Sequence, residues 1–598
     1  MLPFLRGAGR LGAAAVLLLA AGCANDTTPS PTAGPAPANA TTAANATSTV
    51  PGILMQGFYW DVPATTNNQT WWQLLGSQAA ELSQAGITAL WLPPAYKGSA
   101  GGYDVGYGVY DRYDLGEFNQ KGTVATHYGT LAQLQSCISS LHGQGIQVYE
   151  DVVMNHLMGA DYQESFTYNG QSYNPYTGFN YPGRGTTYSS YQWHYYNFNG
   201  AQQGANNSWL QWNPWDFQPY DNGDAYDNLM GCEIRYTDQN QVNETINWGN
   251  WLTTKLNLDG YRIDAAKHMY TPFLNNWLDK VKGTRFAVSE VWFNSVSELN
   301  DYASATGGRT SLFDVPLHYT FKAMSDGNGA WDMRGLEFAG FTEANGPLSV
   351  SFVDNHDTDT PGGLNSPVVN LKMLAYAYIL TREKGYPCVF YKDYYTYGLG
   401  PQIKTLNLIR QAHAYGAGYE YTSADDADVY AYSRAGDASH TGLLTLLNDG
   451  GSNATKTLTT PFKNATLTDL TGNTSGTVTT DANGTGTFAV NSRSYAVWVP
   501  KPTTSVTFNI TYSNTVSGQD LYIVGSTGQL GSWNTSNAIK LSGAAYPTWT
   551  LTVPLTAGIG VTYKYFRRDQ SGNILWEGDP NNSLTPSGTA QTVNDTWH

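Results

Sequence analysis

GYRIDAAKH (260–268), FAVSEVW (286–292) and FVDNHD (352–357) share one pattern. In each, a short apolar run meets a carboxylate: Asp264, Glu290 and Asp357. An acid at the end of a buried strand is costly unless it has a partner or a chemical task. A single such acid reads as a helix cap or an arginine partner. Three in succession point to one site at the open end of a barrel.

Outward from these segments, eight strand-like apolar runs follow one another: 53–60, 87–94, 146–153, 260–266, 286–292, 311–317, 348–357 and 386–391. Helix-like stretches such as TLAQLQSCISSLHGQG (130–145) and TPFLNNWLDKVKG (271–283) lie between several of them. Strands alternating with helices predict an α/β fold, a (β/α)8 barrel. Such barrels use roughly 30 residues per unit, and the later runs keep that spacing. The gap between the third and fourth runs is far longer, so 157–232 is expected to be an inserted subdomain, with the barrel in 51–156 and 233–416. Barrel chemistry sits at the C-terminal ends of strands, where DVVMNH (151–156) also falls.

A chain of 598 residues implies about three to five domains. Its 42 tyrosines and 18 tryptophans exceed ordinary core needs, and many sit in loop-like sequence such as YQWHYYNFNG (191–200). Flat exposed rings suit sugar faces. The net charge of −16 argues against nucleic acid or an anionic membrane as partner, while a neutral polymer is indifferent to it. Residues 1–22 read as a signal segment, arginines followed by LGAAAVLLLA, too short for a permanent span. LAAGC is similar to a bacterial lipobox, with Cys23 as the lipid-modified first mature residue; the alternative is an ordinary cleaved signal and a secreted protein. Residues 23–50 are a Pro/Ala/Thr linker unable to build a core. Cys137, Cys232 and Cys388 show no metal-ligand spacing and are expected as buried thiols, with room for one disulfide.

Residues 417–500 alternate in strand fashion and are expected to form a small antiparallel sandwich. Residues 503–598 (TSVTFNITY, DLYIVGS, WTLTVPL, VTYKYFRR) read as a separate β-sandwich.

The stretches ITALWLPPAYKG (87–98), GYDVGYGVYDRYDLGEFNQKGTV (102–124), DVVMNH, GYRIDAAKH, the Glu290 segment, FVDNHD and TREKGYPCVFY (381–391) together resemble the alpha-amylase family, glycoside hydrolase family 13, most closely its bacterial liquefying type. By motif position, the resemblance implies Asp264 as nucleophile, Glu290 as general acid/base and Asp357 as the third acid. Crowding by carboxylates is expected to hold the proton of Glu290. Arg262, two residues before Asp264 and so on the same side of a strand, is expected to pair with it. The resemblance also implies substrate-binding places for Tyr107, His156 and His356, a conformational role for Asp151, and acceptor-side places for Lys267 and His268. It further implies a calcium ion (Ca2+) between barrel and insert, held by Asn155, Asp227, Glu233 and the backbone carbonyl of His268. Glu233 stands where the group usually has Asp. Arg235 stands where many relatives have an Asp of an extended metal cluster, so a single calcium is expected.

The last 96 or so residues resemble a starch-binding module of carbohydrate-binding family 20, through QLGSWNTSNAIKLS (529–542), YKYFRR (563–568) and WEGDPNNSLTP (576–586). That resemblance implies stacking tryptophans Trp533 and Trp576 with polar companions Lys564, Glu577 and Asn581. Tyr546 matches one tyrosine of a second site, whose other tyrosine is missing from TVSGQ (515–519). The function implied is an extracellular, monomeric alpha-amylase acting on starch, glycogen-like glucans and maltooligosaccharides, tethered to the cell surface through Cys23 or secreted. The alternatives are a transglycosylase or maltooligosaccharide-forming amylase on the same scaffold, and a mainly starch-binding surface lipoprotein. The intact acid trio favours an enzyme.

Overall fold

The computed structural model describes residues 52–203, 208–213, 229–463, 465–481, 483–501, 503–531, 533–557 and 560–598. The leader, the linker, Cys23 and Asp227 lie outside the described residues.

Eight strands close into a barrel: β1 (Leu54–Gln56), β2 (Ala89–Leu92), β3 (Gln147–Val152), β4 (Gly260–Ile263), β5 (Phe286–Ser289), β6 (Ser311–Phe313), β7 (Ser349–Phe352) and β8 (Tyr386–Phe390). Neighbours pair in parallel in chain order, and β8 returns to β1. Each of the eight apolar runs supplies one strand. The strands read as unbroken apolar runs because helices cover one face and the barrel interior the other. Helix α1 (Trp71–Gln84) follows β1 and α2 (Leu131–Gly143) follows the β2 excursion. Both begin on Thr-x-x-Gln: Gln73 and Gln133 reach back to the N–H groups of Thr70 and Thr130 (3.0 Å each), satisfying donors that a helix start leaves open.

The long gap after β3 is an excursion with a neck. His156–Leu157 pairs antiparallel with Cys232–Ile234, and Phe198–Gln203 and Ser208–Gln211 extend that sheet. Phe166–Tyr168 and Gln171–Tyr173 form a small hairpin, enclosed in sequence by the antiparallel pair Tyr162–Gln163 and Tyr176–Gly178.

After the barrel, six strands between Gly418 and Pro500 form one antiparallel sheet, faced by a pair, Ala454–Thr459 and Thr485–Val490. Tyr430, Leu443, Leu447 and Val497 from that sheet join the barrel's apolar core, while Val429, Leu444 and Trp498 fill the sandwich. Residues from Thr503 onward form two further sheets with a core of their own around Phe508, Ile523 and Tyr565. Cys137, Cys232 and Cys388 are buried free thiols. No helix among the described residues is long and apolar enough to cross a membrane.

Candidate active site

The acids of β4 and β5 stand on the rim because the barrel ladder continues through them. Asp264 N–H donates to the Val152 carbonyl (3.1 Å), and Glu290 N–H donates to that of Ile263 (2.9 Å). Asp357 arrives from a loop beyond β7. Ala265, next to Asp264, has φ +48°, sparsely populated for a residue with a Cβ. That turn aims its N–H at the Glu290 carboxylate (2.8 Å).

Arg262, buried on β4, ties the acids together. One terminal nitrogen donates to Asp264 (2.6 Å) and to both oxygens of Asp151 (2.9 and 3.0 Å); the other lies 3.1 Å from Glu290. The arginine fork thus serves three carboxylates on three strands. Glu290 is thus faced by a cation as well as by acids. Burial pushes the Asp264 carboxyl above its ordinary value, with Arg262 pulling it down and Glu290 adding to the rise. Burial also raises Asp357, against the pull of Arg262.

Asp151 is wholly buried and fully engaged: besides Arg262 it accepts from the Trp91 indole (3.1 Å) and the Tyr107 hydroxyl (2.9 Å). The Tyr107 ring stacks on His356 at 5.3 Å and on Trp60 at 5.8 Å, with interplanar angles of 6° and 8°. The Gln56 amide meets His356 Nδ1 at 2.9 Å, and His356 Nε2 lies 3.5 Å from Asp357. Burial, reinforced by Arg262, lowers His356 to about 3, so the ring is neutral at ordinary pH.

These groups open onto a cleft of about 210 Å³. Asp264, Glu290, Asp357, Tyr107, Lys267, His268 and His356 line it, together with Trp60, Ala265, Leu229, Met230 and Trp292. Asp151, Arg262 and His156 do not reach the cleft surface. His156 is buried; its Nε2 bonds the Tyr107 carbonyl (2.8 Å), and burial lowers it to about 4. Sequence reading missed Trp60, Leu229, Met230 and Trp292. Trp60 closes the first apolar run, 53–60, but β1 ends at Gln56 and leaves Trp60 on the rim, partly exposed.

Of the expected calcium ligands, Asn155 and Glu233 are both buried at the neck. Glu233 pairs with His156 across the strands, and Ile234 N–H donates to the Asn155 carbonyl (3.0 Å). The Asn155 side-chain nitrogen makes no hydrogen bond, and turning the amide would offer its oxygen in the same place. His268 ends the single turn Ala266–His268. An amide oxygen, a carboxylate and a main-chain carbonyl are the donors calcium takes, so the described part of the set fits that ion. The Arg235 Nε donates to the Thr237 hydroxyl (3.4 Å).

In the last domain, Trp533 and Trp576 are exposed at 39% and 40%, large indole areas for a soluble surface. Trp576 pairs with Phe566 across the sheet, their rings 4.8 Å apart, and Trp533 N–H bonds Gly525 on the neighbouring strand. Lys564, two residues before Phe566, contacts Asp579 (2.5 Å). Glu577 is buried, accepts from Tyr565 N–H (2.8 Å) and Asn582 (2.7 Å), and is raised to about 7 by burial. Asn581 is exposed. Tyr546 is exposed and its hydroxyl donates to the Ser513 carbonyl, beside the stretch lacking a second tyrosine.

Comparison with known proteins agrees with this layout. The family profile for the alpha amylase catalytic domain matches residues 72–393, that for the alpha-amylase C-terminal domain matches 443–499, and that for the starch binding domain matches 503–596. The chain is 40% identical to a glucan 1,4-alpha-maltohexaosidase of Bacillus sp. (strain 707), over 75% of this chain and 92% of that protein. It is also 40% identical to an alpha-amylase of Bacillus licheniformis, over 77% of this chain and 95% of that protein. The crystal structure of an alpha-amylase from Geobacillus thermoleovorans, complexed with acarbose, shares the fold at a TM-score of 0.55 and 19% identity, covering 75% of this chain and 97% of that one.

Proposed function

The chain is a glycoside hydrolase of the alpha-amylase family with a C-terminal starch-binding domain, and from that premise we propose an extracellular alpha-amylase that cleaves internal alpha-1,4-glucosidic bonds with retention. Its substrates are starch, glycogen-like glucans and maltooligosaccharides. The observation that carries the reading is the sharing of one guanidinium by Asp264 and Glu290 at the mouth of one cleft. Two carboxylates held on the two arms of one fork suit the separation of about 5–5.5 Å that a retaining pair needs.

In this mechanism an Asp264 oxygen attacks the anomeric carbon while Glu290 gives its proton to the leaving glycosidic oxygen. Glu290 then takes a proton from water, which attacks the same carbon and releases Asp264. Asp357 and the neutral His356 hold hydroxyls of the distorted sugar between them. The Tyr107 ring offers the stacking face, with Trp60 beside it. Lys267 and His268 line the acceptor side. Asp151, Arg262 and His156 act from beneath as supports. Calcium held by Asn155, Asp227, Glu233 and the His268 carbonyl would supply positive charge that ties insert to barrel.

Trp533 and Trp576, with Lys564, Glu577 and Asn581, anchor the enzyme on granules; Tyr546 marks the remnant of a second site. The protein works as a monomer, lipid-anchored at Cys23 or secreted. A maltooligosaccharide-forming product pattern is the second reading, supported by the 40% identity to the maltohexaosidase. A time course of products from soluble starch, resolved by length and anomeric form, tests both. Alpha-anomeric products of mixed length support the first reading, one dominant length supports the second, and beta-anomeric products overturn retention.

A further inference from the structure

The loop that presents Asp357 is tied down by groups that none of the roles above employs. β7 ends at Phe352, and regular helix resumes only at Lys372–Thr381. Asp354, buried just past the strand, accepts at both ends of the intervening loop: from the Thr358 hydroxyl (2.8 Å) and from the Val368 N–H (3.0 Å). A buried carboxylate needs a counter-charge. Lys372 supplies it, its Nζ lying 2.8 Å from Asp354 and 2.6 Å from Asp393. Asp393 in turn accepts from the Tyr376 hydroxyl (2.5 Å), and that oxygen accepts from Phe390 N–H at the end of β8 (3.2 Å). The rims of two barrel strands are therefore joined beneath the loop.

Thr358 links this network to the acid. Its hydroxyl also accepts the Asn355 N–H (2.9 Å), and the Asn355 side-chain oxygen accepts the N–H groups of Asp357 and Thr358 (2.9 Å each). From the far side of the loop, Leu364 and Asn365 N–H groups donate to the Asp357 carbonyl (2.9 and 3.2 Å). The backbone of Asp357 is held from both sides by a loop that Asp354 closes, while its side chain borders the cleft.

We propose that Asp354, Thr358 and Lys372 form a positioning unit that fixes Asp357 for the chemical step and sets kcat without touching sugar. This rests on the reading of Asp357 as the third acid. Displacement of a reacting group by about 1 Å costs up to about 100-fold in rate, so a small slackening of this loop is measurable. A network that merely stabilised the barrel would change melting temperature and leave turnover per folded molecule alone.

The test compares Thr358→Val, Thr358→Ser and Asp357→Asn in the full chain, on a soluble maltooligosaccharide. Thr358→Val keeps the shape and removes the hydroxyl without changing charge; Thr358→Ser restores it. The expected result is a fall in kcat of about 10-fold or more for Thr358→Val with KM within about twofold, and recovery in Thr358→Ser. Asp354→Asn, which keeps size and one acceptor, gives the same split and stands in if Thr358→Val does not fold. Wild-type kcat in Thr358→Val beside an inactive Asp357→Asn overturns the positioning unit and leaves the role of Asp357 standing. Full turnover in Asp357→Asn overturns both. Equal losses in the Val and Ser variants, or a lowered melting temperature with kcat unchanged, also overturn the proposal.

Discussion

Arg262 and Glu290 face each other at 3.1 Å, guanidinium to carboxylate, while the same guanidinium holds Asp264 at 2.6 Å. The acid proposed to carry a proton therefore shares its counter-ion with the acid proposed to attack. Lysine cannot reproduce this, since its point charge lacks the planar fork. Arg262→Lys is expected to lower kcat by about 100-fold or more, the scale of losing one preorganised electrostatic partner. Its melting temperature should also fall, because Asp151 is wholly buried and loses the guanidinium nitrogen that serves both its oxygens. Near-normal kcat would show that charge alone suffices.

Burial of His156 as a neutral ring links stability to pH. Its folded value, about 4, lies below the ordinary 6.5. The contribution is therefore complete above pH 6.5 and is lost as pH falls toward 4, up to about 3 kcal/mol over that window. Denaturant midpoints of wild type and His156→Gln should differ in their slope between pH 6.5 and 4, the variant being flatter. Parallel slopes would remove His156 from the acid response.

Gly362 sits where no side chain fits. A Cβ there would stand 2.4 Å from the carbonyl oxygens of Asp357 and Asp359 and 2.7 Å from that of His356. Gly362→Ala must move the loop that bears Asp357, and kcat should fall about 10-fold or more. Granule binding, carried by another domain, should not change. Unaltered kcat would mean that the loop adapts without moving the acid.

The exposed pair in the last domain should matter for solids and not for solutions. Trp533→Ala with Trp576→Ala is expected to weaken binding to raw starch about 30-fold or more, a loss of about 2 kcal/mol for the pair together. Rates on soluble maltooligosaccharides should stay level. Retained granule binding would place the anchor elsewhere.

Removing calcium should loosen the neck. Prolonged chelation is expected to lower the melting temperature by several degrees, since an ion bound only by the folded state stabilises it by mass action. Calcium added back should restore the curve. An unchanged curve would leave Asn155 and Glu233 as purely structural polar groups.

The barrel was legible because its strands are buried on both faces, which forces continuous apolar runs such as IQVYEDVV and YPCVFY. Asp264 and Glu290 stood out because each directly follows such a run. The excursion after β3 was legible only as a gap. Its small strands there, YQ, FTY, QSY and YTG, are two or three residues long, too short for a period to emerge. Trp60 was hidden by its neighbours, since ILMQGFYW gives no mark where strand stops and rim begins. The meeting of Arg262 with Glu290 was also beyond reach: a strand period places Arg262 beside Asp264, but only the pairing of β4 with β5 brings the next strand's acid to the same fork.

The neck at His156–Leu157 and Cys232–Ile234 lets both ends of the excursion leave the barrel side by side. Beyond the neck the excursion is clamped a second time: Arg184 pairs with buried Asp111 at 2.7 Å, and the Ser189 hydroxyl donates to Glu244 on the helix Gln239–Leu256. Chain length alone is cheap to change, since doubling it would add only about 0.6 kcal/mol of closure entropy. The clamps at Arg184 and Ser189 are what any replacement of the excursion would have to rebuild. Leu229 and Met230, just ahead of the returning strand and on the cleft wall, are where such a replacement would be felt by the substrate.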